Sequence, residues 1–118
     1  MINSICVLIR KSPYGTEDAF AGLRLGLATI ANGMETRIIL MEDGVLCAKK
    51  DQKPQKIHMP SMIETLNDLF SLEVKIYCVE DHLSEREIKK EDLIEELNFI
   101  PKKEISDIIL SCDAQTSF

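Results

Sequence analysis

The first apolar run, Ser4-Ile-Cys-Val-Leu-Ile9, shows no alternation of polar and apolar side chains. A strand with one wet face alternates, so this run reads as a strand covered on both faces, the habit of parallel sheets. It restricts the chain to folds that place layers above and below a sheet. The turn Lys11-Ser-Pro-Tyr-Gly15 stops it. The period then changes: Phe20, Leu23, Leu27, Ile30 and Ala31 recur at helical spacing. Thr16 can cap that helix, Glu17 and Asp18 suit the positive end of its dipole, and Asn32-Gly33 closes it.

The same switching of period continues down the chain. Thr36-Arg-Ile-Ile-Leu-Met41 is a second apolar run, ended by the turn signal Asp43-Gly44. From Glu42 to about Met59 the sequence is polar with little periodicity and reads as a long loop, of a kind that is often functional inside compact domains. His58, within it, reads as solvated. A second helix is predicted from Pro60, with Met62, Ile63, Leu66, Leu69 and Phe70 on one face. Glu73 to Cys78 alternates, placing Val74, Ile76 and Cys78 on one side of a strand and Lys75 and Tyr77 on the other. A helix should follow, with Ser84 and Glu87 as a capping box. Leu97 to Ile100 reads as a fourth strand stopped by Pro101. Ile105, Ile108, Ile109 and Cys112 sit at i, i+3, i+4 and i+7 of a short helix, and Ala114 to Phe118 is a final strand. Strand and helix in alternation over 118 residues predict one α/β domain, residues 1–118: three layers, α/β/α, around a mostly parallel sheet of about five strands.

Charge and composition narrow the function. With 14 Lys+Arg against 20 Asp+Glu, a net charge of −6, no Trp and only six aromatics, the chain lacks a surface that neutralises phosphates and stacks bases. Direct binding to nucleic acid is not expected. The longest apolar runs fall far short of the roughly 18 residues of a membrane span, and the N-terminus does not read as a secretory signal. The expected location is the cytoplasm, with no membrane partner. Four cysteines without a secretory signal argue against a disulfide scaffold.

In an open parallel sheet, chemistry gathers at the carboxyl ends of strands. Three segments fall there: Ser12 to Thr16, Glu42 to Val45, and Cys78. Cys78 closes a strand and opens a helix, where unpaired backbone N–H groups favour a thiolate. Glu80 and Asp81 push the other way, and His82 would offset them only when protonated. A functional and a buried structural thiol both fit that position. Cys6 and Cys112 lie in apolar patterns and read as core. Cys47, in the polar loop, reads as either an incidental thiol or one that reaches the same edge as Cys78 and resolves or receives sulfur. Cys78 and His82 share i, i+4 spacing, but the paired Cys-x₂₋₄-Cys elements of structural zinc are missing, so no metal is expected. Neither G-x-G-x-x-G nor G-x-x-x-x-G-K-[ST] follows any strand. Asp43 is the only Asp at a strand end, too few for a receiver-type magnesium site.

Tyr14-Gly-Thr-Glu17, Ala31-Asn-Gly33, Asp43-Gly-Val45, Val74-Lys-Ile-Tyr-Cys-Val79 and the tail from Ile105 through Asp113 to Phe118 resemble, in order and spacing, the DsrE/TusD-like (DsrE/DsrF-like) family of small sulfurtransferases. The resemblance implies a sulfur carrier. Cys78 would match the cysteine that accepts sulfane sulfur as a persulfide and hands it to another thiol carrier, with no metal or organic cofactor. Tyr14, Gly15, Asp43 and Gly44 match loops beside that cysteine, and Cys47 and His82 join them as pocket-forming candidates by position. The partners implied are thiol-bearing donor and acceptor proteins. A homo-oligomer (trimer or hexamer) or a hetero-oligomer with related subunits is also implied, in tRNA thiolation or sulfur oxidation. Glu80, Asp81 and His82 depart from the small or apolar residues that follow the family's cysteine. They motivate the alternative, a non-catalytic subunit acting as a structural or regulatory partner. The active reading requires a sulfur at the mouth of the sheet, ionised by the peptide dipoles beneath it and reachable by a visiting protein.

Overall fold

The computed structural model describes residues 2–14, 17–50, 52 and 61–118. Five strands, β1 (Ser4–Ile9), β2 (Glu35–Leu40), β3 (Lys75–Val79), β4 (Asn98–Ile100) and β5 (Ala114–Ser117), form one sheet in the order β4-β3-β2-β1-β5, with every pairing parallel. The helices are α1 (Asp18–Ala31), α2 (Met62–Ser71), α3 (Glu80–Glu85) and α4 (Ile105–Leu110), and a 3₁₀ segment, Glu42–Ala48, follows β2.

Strand order dictates the layers. From β1 to β4 each strand is added on the same side of its predecessor, so right-handed crossovers put α1, α2 and α3 on one face. The step from β4 to β5 runs back past β1, and α4 comes out on the opposite face. Pleat and layers agree. Val7, Ile9, Ile38, Leu40, Ile76 and Cys78 turn toward Phe20 and Leu23 of α1 and Leu66 and Leu69 of α2. Cys6, Leu8, Ile39, Val79 and Ile100 turn toward Ile105, Ile108, Ile109 and Cys112. The expected three-layer α/β/α architecture is present, with a thick first layer and a thin second one.

Details differ from the pattern. The polar loop expected after β2 begins instead with the 3₁₀ segment, in which Gly44, Val45, Cys47 and Ala48 are buried. The helix after β3 starts at Glu80, so Ser84 stands in its last turn, donating to the Glu80 carbonyl, and does not cap it. Ser61 caps α2 by accepting from the Glu64 N–H at 3.2 Å. Thr16 as a cap, Pro60 as a helix start and His58 lie outside the described residues.

Candidate functional site

Cys78 is the last-but-one residue of β3 and has no solvent exposure. The alternation that aligns it with Val74 and Ile76 carries it into the main core, which it shares with Val45, Cys47, Ala48, Leu83 and Leu93. Burial pushes its thiol up to about 12, and the Glu80 carboxylate adds to the rise while Lys90 opposes it. Lys90 spends part of its charge on Glu80, 3.4 Å away. The thiolate-favouring environment expected at a strand-to-helix junction is therefore absent: α3 is only six residues long, and the sulfur points inward from the strand. The sulfur expected to be reachable is covered in this structure.

Cys47 is likewise not an exposed loop thiol. It is fully buried in the 3₁₀ segment, and its Sγ–H donates to the Lys11 carbonyl at 3.7 Å. Burial raises its thiol to about 12, and the proximity of Cys78 contributes to the rise. Two protonated thiols thus occupy one dry interior beneath the carboxyl end of the sheet.

Polar contacts fasten the start of the 3₁₀ segment, which carries Cys47 and packs against β3. Glu42 sits at φ 53°, a left-handed conformation costly for a residue with a Cβ. Its N–H donates to His82 Nδ1 at 2.8 Å, which fixes the inward, nearly buried facing of that ring. Its carboxylate takes Arg10 Nε at 2.6 Å, and this guanidinium holds the carboxyl below its usual range. Asp43, exposed, accepts from Arg86 Nε at 3.0 Å. Gly44 passes so close to β1 that a Cβ there would fall on the Ile9 carbonyl. Gln52 Nε2 donates to the Cys47 and Lys49 carbonyls, both at 2.8 Å, closing the far end. Arg10, Arg86, Gln52 and Lys90 were not readable as site residues, because each sits in an ordinary charged or polar stretch whose partners are distant in sequence.

The structure thus brings Asp43, Gly44, Cys47, Cys78 and His82 together around one segment. Tyr14 supports them from the side of α2. Its hydroxyl oxygen accepts from the Met62 N–H at 3.3 Å, at the start of that helix, and its ring meets Phe20 at 5.9 Å. Gly15 lies outside the described residues. At the carboxyl ends of β1 and β5, where strand order reverses, a depression of about 380 Å³ is lined by Arg10, Lys11, Asp18, Glu42, Ser117 and Phe118. Cys78 does not line it. Among the described residues no three His, Cys, Asp or Glu side chains converge as metal ligands. No helix among them is long and apolar enough to cross a membrane.

The DsrE/DsrF-like family model matches residues 3–118. The chain belongs to the DsrE/DsrF-like family. Among its relatives, an uncharacterized protein of Methanocaldococcus jannaschii is 37% identical over 89 residues, covering 75% of this chain and 76% of the relative. The intracellular sulfur oxidation protein DsrF of Allochromatium vinosum is 30% identical over 96 residues, covering 80% and 71%. The crystal structure of the YchN protein of E. coli superposes with a TM-score of 0.89 at 25% identity, covering 99% of this chain and 100% of that one. The DsrE-like α/β fold is thus established together with the family.

Proposed function

We propose that this DsrE/DsrF-like protein is an intracellular sulfur-relay protein that accepts sulfane sulfur on Cys78 as a persulfide and passes it to another thiol carrier. The observation that carries the reading is the place of Cys78 at the carboxyl end of a central strand, beneath a segment fastened at its edge by polar contacts. The naming of a DsrF relative for sulfur oxidation supports it. The Cys78 sulfur, giving up its proton, bonds the outer sulfur of a donor R–S–SH. The donor S–S bond breaks, and the donor leaves as a thiolate that takes a proton. Because the resting thiol is covered, a donor protein must draw the 3₁₀ segment aside as it docks. Cys47, carried by that segment, leaves the core in the same movement and is a thiol that can receive the sulfur. Asp43, Gly44 and His82 shape the cover, and no metal or organic cofactor enters the scheme. Incubating the protein with a sulfane sulfur donor protein and weighing it intact should show added sulfur that vanishes in Cys78→Ser; sulfur retained by that variant overturns the assignment.

The burial of Cys78 and its thiol pKa near 12 favour a second reading, a non-catalytic subunit that keeps the fold as a structural or regulatory partner. Titrating thiol alkylation against pH with the donor present separates the two: a subunit of that kind leaves Cys78 unreactive throughout. For both readings we propose association into a homo-oligomer or with related subunits, supported by the family and by Leu110, 80% exposed on α4. A monomer at every concentration in light scattering contradicts it.

A further inference from the structure

A second pair of thiols lies on the opposite face of the sheet from Cys78. Cys6, in β1, is fully buried; Cys112, just past α4, is half-buried and packs against the cluster that holds Cys6, near enough to help raise the Cys6 thiol. The backbone around them is pinned independently of that contact. The Asp113 carboxylate accepts from the Asn3 N–H at 2.7 Å and the Ser4 N–H at 3.2 Å, while the Asp113 N–H donates to Ser4 Oγ at 2.9 Å. From Ile5 opposite Ala114 onward, β1 and β5 are paired. Residues 112–114 are therefore held beside residues 3–6.

Arg37 completes the cluster. It stands opposite Cys6 in the neighbouring strand and so faces the same side of the sheet. Its Nη1 donates to Ser111 Oγ, itself 4.0 Å from Cys112 Sγ, and its Nε is buried with no hydrogen-bond partner among the described residues. The guanidinium, ion-paired to Glu35 at 2.8 Å, thus sits beside Cys6 and opposes the larger rise that burial and the neighbouring Cys112 impose on the Cys6 thiol.

We propose that Cys112 and Cys6 form a second thiol site that reduces low-molecular-weight disulfides and closes into a Cys6–Cys112 bond. Cys112, the sulfur within a visitor's reach, attacks one sulfur of R–S–S–R. The S–S bond breaks, R–S⁻ leaves and takes the proton given up by Cys112, and a mixed disulfide remains. Cys6, which no visitor reaches, then attacks Cys112 Sγ. It expels the second R–S⁻, which takes the Cys6 proton. Two thiols lose two electrons and one disulfide gains them, leaving two molecules of R–SH. The site is independent of the relay reading for Cys78.

The test treats the full chain, without denaturant, with excess hydroxyethyl disulfide, followed by intact mass and a non-reducing peptide map. The expected product is lighter by about 2 Da, carries no adduct and has lost two alkylatable thiols. It also joins the peptide containing Cys6 to that containing Cys112. Cys112→Ser should keep its mass, Cys6→Ser should retain a small-thiol adduct on Cys112, and Cys78→Ser should behave as the parent. Since Cys6 is core and its variant can fail to fold, Cys112→Ser and the peptide map decide the matter. An unchanged mass, a persistent adduct on the parent chain or a Cys47–Cys78 link overturns the proposal.

Discussion

Burial pushes the Cys78 thiol up to about 12, so at neutral pH it is almost wholly protonated, whereas a free cysteine is a few per cent thiolate. Timed alkylation of the folded protein, mapped by mass, should label half-exposed Cys112 first and Cys78 at least about a thousandfold more slowly than a free thiol. The Cys78 rate should then climb about tenfold per pH unit as the thiolate fraction grows. Burial outweighs charge in raising this thiol, which limits what a neighbour can do. Glu80→Gln should speed the reaction by less than about tenfold, and Lys90→Gln should slow it by a similarly small factor. Gly44 makes a different demand. Its added Cβ would meet backbone rather than a flexible side-chain end, so Gly44→Ala should cost about 1–3 kcal/mol in urea unfolding.

Between β2 and α2 the decisive element is the 3₁₀ segment, and its fastening to α3 makes a graded prediction. His82→Ala removes the acceptor of the Glu42 N–H and should cost about 1–3 kcal/mol by urea unfolding. Arg86→Ala removes a bridge to an exposed carboxylate and should cost no more than about 1 kcal/mol. If the segment is the cover of the thiols, His82→Ala should also accelerate alkylation of Cys47 and Cys78 more than its loss of global stability explains; equal acceleration of every cysteine would show global unfolding alone. This element was the least legible in the sequence. Val45-Leu-Cys-Ala48 is too short to express a period, and what buries it is contact with α2, α3 and β3, remote in the chain. Cys78 teaches the converse. Its alternation with Val74 and Ile76 was plain, and that row is a core row; the signal for burial lay in the same pattern that located the strand end.

Strand and helix alternation made the layers legible for the whole molecule, yet the placing of β5 beside β1, which sends α4 alone to the second face, follows from no local pattern. The fold that results encloses three thiols, Cys6, Cys47 and Cys78, each raised by burial from an ordinary 9.0 to about 12. The direction fixes the sign of the pH dependence. The folded state keeps protons that the unfolded chain gives up above about pH 9, so the stabilisation from burying neutral thiols is fully present below that pH and is lost as pH rises toward 12. Each such thiol contributes a slope of about 1.4 kcal/mol per pH unit across that window. Urea unfolding followed from pH 8 to 11 should therefore steepen above pH 9. The slope should shrink by about one thiol's share in Cys47→Ala and again when Cys78→Ala is added. A parent chain whose alkaline slope survives both substitutions unchanged would mean that these two sulfurs meet solvent in the folded state, and the covered site beneath the 3₁₀ segment would have to be given up.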